Sequence, residues 1–202
     1  MAVVFAAVLS ACNVLPTKPP VTLYAPVPQF AQGADEVQMA WRLAVARPLA
    51  SGPVATPRIL VRPTPSEIEV YPQAQWSEPA PGLVAQALMQ ALEADGRLAA
   101  LDRSSAGLVR DFELTTELRD FQIELADTPV AILRIKANLV AYPEGHLVAS
   151  RLFEARVPAA GQQVAEAVAA LSETLERALP QVADWAVMQG QAHWHPDEPQ
   201  AR

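Results

Sequence analysis

Hydrophobic positions divide this chain into a strand-rich stretch, a short helix, a run of long strands and a final long helix. Residues 37–46 alternate, with Val37, Met39, Trp41, Leu43 and Val45 on one side, as a half-buried strand requires. Arg58–Arg62 and Glu67–Tyr71 are two short strand-like runs joined by Pro63-Thr64-Pro65-Ser66, a hairpin with a stiff loop. After Tyr71, the segment Ala74–Pro79 reads as a turn into a helix. Residues 82–95 switch to spacings of three and four (Val84, Leu88, Ala91, Leu92), and Gly96 is a natural cap. The turn Gly96-Arg97-Leu98 leads toward the next strand.

From 110 to 125 alternation dominates: Phe112, Leu114, Thr116 and Leu118 share a face. At Phe121, Ile123 and Leu125 the apolar residues change parity, which predicts a bulge near Asp120. Residues 130–142 and 147–157 alternate on either side of the turn Tyr142-Pro143-Glu144-Gly145-His146. Three long strands in series, joined by short turns, predict an antiparallel meander with one wet face. No crossover helix fits between them, which excludes a parallel nucleotide-binding sheet. Residues 162–188 carry a stripe of Val164, Val168, Leu171, Leu175, Leu179 and Val182, with Trp185 beside it and Pro180 as a kink or break. The expected fold class is α+β: a mainly antiparallel β-sheet with two helices packed on one face.

The beginning of the chain follows another rule. Residues 2–11 are uncharged and almost all apolar, and they end in Leu9-Ser10-Ala11-Cys12. A run of about ten is too short to span a bilayer core, which needs roughly 20 residues, but it suits the h-region of a signal peptide. Cys12 is the sole cysteine. Small residues followed directly by cysteine resemble the cleavage and lipidation box of a bacterial lipoprotein precursor. Acylation there would anchor the chain durably, since each buried methylene adds about 0.8 kcal/mol. It would also remove a reactive thiol from an oxidising compartment. Asn13, rather than Asp, favours transport to the outer membrane under bacterial sorting rules. No Lys or Arg precedes the run, which a start site placed too far downstream would explain. The expected organisation is a signal peptide over 1–11, a lipidated N-terminus and proline-rich tether over 12–35, one domain over 36–188, and a disordered tail over 189–202. Leu23 and Tyr24 are candidates to begin a first strand or dock on the body.

Composition removes several function classes. The formal net charge is −7 and there is no basic stripe, so nucleic acid is not an expected partner. Glycine is scarce and no phosphate-cradling loop is present. Of three histidines, His146 lies in a predicted turn, and His193 and His195 lie in the tail, where an H-x-H pair carries little metal-binding weight. No serine has a nucleophile-elbow setting. Glu113, Glu117 and Glu124 read as a solvated strand face rather than paired catalytic carboxylates. The expectation is therefore no catalytic residue, no metal and no cofactor. Tyr71, Trp76 and Pro79 are the candidates for a partner interface, weighed against ordinary core and rim packing for the two aromatics.

These residues together resemble a known family. The box Leu9–Cys12, Leu23-Tyr24 after a proline-rich spacer, the segment ILVRPTPSEIEVYPQAQWSEP over 59–79, and ASRLFEARVP followed by ALSETLERAL resemble the ABC-type transport auxiliary lipoproteins, including the PqiC-like intermembrane transport lipoproteins. Tyr71, Trp76 and Pro79 stand where that family's pattern has them, whereas Val61 stands where relatives often carry tyrosine. The resemblance implies a non-enzymatic outer-membrane lipoprotein facing the periplasm. It implies partnership with an ABC permease and ATPase and with an MCE-domain protein that bridges the periplasm, in a system moving lipids or other hydrophobic molecules. It also implies self-assembly into rings in at least some relatives. A structural or assembly lipoprotein without a transport role is the alternative, and an envelope hydrolase a weaker one.

Overall fold

The computed structural model describes residues 19–33, 38–107, 109–125 and 127–195. The lipidation box Leu9–Cys12 and Val37 lie outside the described residues. In chain order the elements are β1 (Thr22–Tyr24), β2 (Met39–Val45), β3 (Arg58–Arg62), β4 (Glu69–Trp76), α1 (Ala80–Asp95), β5 (Leu98–Arg103), β6 (Phe112–Glu124), β7 (Val130–Ala141), β8 (His146–Pro158) and α2 (Val164–His193). Eight strands form one sheet, and the fold is α+β.

β6 is the axis of the sheet. Along one edge it pairs antiparallel with β7 from Phe112↔Ala141 to Glu124↔Val130, and β7 pairs antiparallel with β8. The register slips between Leu118 and Asp120, where the parity of apolar residues changes in the sequence. One extra residue there keeps Leu114 and Leu118 on the same face as Phe121 and Ile123, and all four are buried. The other edge of β6 is shared. β2 covers its start (Leu43↔Phe112) and β3 its end (Leu60↔Gln122), both parallel to it. Between them, Leu49 donates its N–H to the Thr116 carbonyl and accepts from the Leu118 N–H, at 2.8 Å each.

Both helices cover one face of this sheet. Phe121, Leu133, Ile135, Phe153 and Val157 meet Leu88, Leu92, Leu171, Leu175, Leu179 and Val182 in one core. The opposite face of the meander carries cross-strand ion pairs, Arg134–Asp120 at 2.6 Å and Arg156–Glu124 at 3.1 Å. Such exposed pairs contribute roughly 0–1 kcal/mol each; their main effect is to keep that face solvated.

Four expectations change. The sheet is mostly antiparallel as expected, but four parallel pairs sit beside the meander: β2·β5, β2·β6 and β3·β6, each with α1 inside its connection, and β1·β4, whose connection runs through β2 and β3. The chain after Tyr71 remains a strand to Trp76 instead of turning, with Gln73 at a positive φ of 56° in an irregular stretch of β4. Of the two alternatives for Pro180, kink or break, the break falls: α2 runs unbroken through this exposed residue. α2 also continues to His193, so residues 189–193 are helix rather than disordered tail.

The last turns of α2 are anchored by Trp41. Its indole N–H donates to Gln191 Oε1 at 3.2 Å, and its ring lies edge-on to Phe112 at 5.2 Å. A β-carbon on Gly190 would lie 2.6 Å from that indole ring, so glycine is required by space, not by backbone conformation. Gly190→Val is expected to destabilise the protein by about 1–3 kcal/mol through overpacking, measured by urea unfolding. Trp76→Ala is expected to cost about 3–5 kcal/mol. Trp76→Phe should keep most of that stability, because the buried indole nitrogen has no hydrogen-bond partner to lose.

Candidate functional site

The three sequence candidates for a partner interface separate in the fold. Trp76 is 1% exposed and stacks on Phe121 with ring centroids 5.3 Å apart, so it offers a partner no surface. Its sequence neighbours conceal this: only tertiary packing brings the Phe121 ring over it. Tyr71 is half-buried, and its hydroxyl is enclosed without a partner. Burial, followed by the nearby Glu166 carboxylate, pushes that hydroxyl's pKa up, so it stays neutral. Pro79 is exposed at the position preceding α1.

A cleft of about 680 Å³ opens beside Glu78, the residue before Pro79. Arg47, Glu78, Gly82, Met89, Glu93 and Arg103 contribute to its walls, which close between α1 and the ends of β2 and β5. Gly82 makes room for the Glu78 carboxylate, which a β-carbon there would strike. Gln86 donates to Glu78 across the first turns of α1. An apolar floor with both charge signs at the rim suits a polypeptide contact better than a purely apolar ligand. Nothing in the alternation of residues signals this cleft, because its wall residues come from four separate stretches of sequence.

A second constellation involves Glu113, read from sequence as a solvated strand residue. It is 8% exposed. Its carboxylate accepts hydrogen bonds from Ser104 Oγ and from the Tyr142 hydroxyl (2.6 Å), with the Arg110 guanidinium 3.5 Å away. Arg110 also stacks on the Tyr142 ring at 4.0 Å. Burial opposes ionisation, but the Ser104 and Tyr142 hydrogen bonds and the Arg110 charge together outweigh it and hold the carboxyl below its ordinary value. The arrangement ties the 3₁₀ turn Ser104–Ala106 and the β7–β8 turn to β6. Glu117 and Glu124 do face solvent, paired with Arg119 at 3.3 Å and Arg156 at 3.1 Å. The histidines are not gathered: His146 starts β8 and pairs with Ala141, whereas His193 ends α2 with Nδ1 2.9 Å from the Gln189 carbonyl.

Leu23 and Tyr24 do begin a first strand, and the residues read as tether after them are docked as well. β1 pairs with β4 from Thr22↔Ala74 to Tyr24↔Trp76. The chain then crosses both helices: Val27 N–H donates to Ser172 Oγ at 3.3 Å, Gln29 N–H to Glu176 at 2.8 Å, and Gly33 N–H to the Ala94 carbonyl at 2.7 Å. A side chain on Gly33 would collide with the Asp95 carbonyl oxygen. Beneath it, Arg97 bridges Asp95 (2.7 Å) and Asp184 (2.9 Å), linking the end of α1 to α2.

The Glu113 cluster gives a pH prediction. A carboxyl whose folded pKa is depressed contributes stability that is full above its unfolded pKa, near 4.5, and is lost as pH falls through the folded value. Wild type should therefore lose stability below about pH 4.5 more steeply than Glu113→Gln. Thermal unfolding across pH 2.5–7 checks this, and parallel curves would refute it.

The profile of the family described as ABC-type transport auxiliary lipoprotein component matches residues 22–183. A crystal structure of a Xanthomonas campestris protein has a TM-score of 0.79 and 31% identity, covering 85% of this chain and 98% of that one. A crystal structure of an uncharacterized protein, at TM-score 0.60 and 16% identity over 79% of this chain and 99% of that one, shares the fold. The PelC dodecamer of Paraburkholderia phytofirmans is more remote, at TM-score 0.49 and 12% identity over 79% of this chain and 94% of that one, and nothing of its assembly transfers. No curated protein matches. With the profile spanning β1 to the middle of α2 and the Xanthomonas relative similar along almost its whole length, this chain belongs to the family of ABC-type transport auxiliary lipoprotein components.

Proposed function

We propose that this protein is a non-enzymatic lipoprotein anchored through Cys12 in the outer membrane, on its periplasmic face. There it docks the MCE-domain component of an ABC transport system that moves lipids or other hydrophobic molecules between membranes. The observation that carries this reading is the short interval between Cys12 and Thr22. The family domain and the first docked strand both begin at Thr22, directly after a lipidation box and a proline-rich spacer. Asn13 supports outer-membrane sorting. The permease and ATPase of the system would then sit across the periplasm, reached only through the bridging protein.

The docking contact belongs at Pro79 and the cleft beside it rather than at Trp76. Arg47 and Arg103 at its rim, with Met89 on its floor, supply charge and apolar area together. Self-assembly into a ring is part of the same reading, and the mass of the detergent-solubilised lipidated protein measures it.

Two measurements test the proposal. Cys12→Ser should shift the protein from the membrane to the soluble fraction of the envelope; continued membrane association would refute the anchor. The lipidated protein should capture the MCE-domain protein encoded with it, and Arg103→Glu should weaken capture at least about tenfold, a loss of 1.4 kcal/mol, with unchanged thermal stability. Absence of capture, together with normal envelope permeability in a deletion strain, would leave the assembly-lipoprotein reading in its place.

A further inference from the structure

The tether that would carry the anchor enters the body at one identifiable end. β1 runs parallel to β4, so the residues before Thr22 lead toward the beginning of β4 and the β3–β4 loop, residues 63–68. Arg62↔Glu124 and Val130↔Pro158 place the β6–β7 and β8–α2 loops at the same end of the sheet. Here four large apolar side chains are exposed: Val21 51%, Leu23 57%, Ile68 45% and Val70 40%. Leu23 pairs with Gln75 of β4, and Val70 of β4 pairs with Leu60 of β3. Prolines 19, 20, 63, 65 and 72 lie close to them in sequence. Arg58 stands near Leu23, while Glu67 and Glu69 flank Ile68, so the patch carries no strong net charge.

Tether length selects the occupant. Nine residues, Asn13–Val21, separate Cys12 from β1, three of them prolines. At about 3.1 Å per residue for a proline-rich extended chain, the reach is roughly 30 Å. A domain of this size is about 40 Å across. The end of the body away from β1, with the Tyr142–Gly145 turn and the last turn of α2, is therefore out of reach of the bilayer holding the lipid. The end with the apolar patch is held against it.

We propose that Val21, Leu23, Ile68 and Val70 form a bilayer-contact surface, which seats the body on the phospholipid leaflet holding its own anchor and turns the opposite end toward the periplasm. This rests on lipidation at Cys12. The contact is apolar, so it should be insensitive to salt, and its side chains should enter the headgroup–acyl boundary without spanning the membrane. It also separates the two surfaces: the cleft lies at the ends of β2 and β5 beside the start of β6 (Val45↔Leu114), whereas Arg62↔Glu124 sets the loops next to the patch at the other end of β6.

Because Cys12 is the only cysteine and its thiol is consumed by the lipid, a cysteine introduced elsewhere is a unique labelling site. The experiment uses full-length lipidated protein in vesicles of phosphatidylethanolamine and phosphatidylglycerol with brominated acyl chains. An environment-sensitive fluorophore is attached in Ile68→Cys, Val70→Cys or Leu23→Cys, and for comparison in Val109→Cys or Leu147→Cys, which are 65% and 58% exposed at the far end. Circular dichroism confirms that each labelled variant is folded. Quenching by the brominated lipid should be about threefold or more stronger at 68, 70 and 23 than at 109 and 147, at low and high salt alike. Equal quenching at both ends, in protein that floats with the vesicles, overturns the orientation while leaving the anchor intact. A blue-shifted but unquenched label whose emission depends on protein concentration assigns the patch to a second copy and overturns it too. Protein that keeps a free Cys12 thiol and does not float overturns the anchor reading, and the orientation falls with it.

Discussion

The whole structure depends on satisfying both edges of β6. A thirteen-residue strand has a long row of peptide groups on each side, and buried peptide groups must find partners. One edge is met by a single long neighbour, β7. The other is met in relay by β2, the bridge at Leu49, and β3. The relay forces the chain from 39 to 62 to run alongside β6 in the same direction, which in turn forces α1 to act as a crossover. Placement of α1 over β2 and β5 creates the cleft, and its docking against α2 creates the groove that receives the tether.

Two of the core's aromatic contacts fasten neighbouring strands to β6. Trp76 on Phe121 holds the β3–β4 unit to the end of β6, and Trp41 on Phe112 holds β2 to its start. The second fastening extends to Gly190 and Gln191, so the last turns of α2 are held to the body through β2. The Glu113 cluster adds a polar fastening where the β7–β8 turn meets β6. It combines a buried carboxylate with three donors, an arrangement whose worth depends on all of them being present.

Docking of the tether links fold to function. Hydrogen bonds from three backbone N–H groups lay residues 22–33 over β4 and both helices. Under the proposed anchor at Cys12, this docking would set where the chain leaves the body toward the membrane, and the proposed orientation follows from that point and the length of chain before it.

By itself the sequence determined the type and inward face of most elements, the bulge near Asp120, the meander and its wet face, and the family. These follow from side-chain periodicity and from local motifs, which act over a few residues. Only the tertiary structure decided which strands share the second edge of β6, that Trp76 lies inside rather than at a surface, that Glu113 is enclosed by Ser104 and Tyr142, and that Val27 meets Ser172, 145 positions away. Alternation says which way a residue faces, not what stands opposite it. A neighbour's identity depends on crossover direction and on helix placement, which minimise unpaired peptide groups over the whole chain at once. Gly190 shows the limit most clearly: by sequence it falls in the expected tail, and its actual role depends on an indole contributed from residue 41.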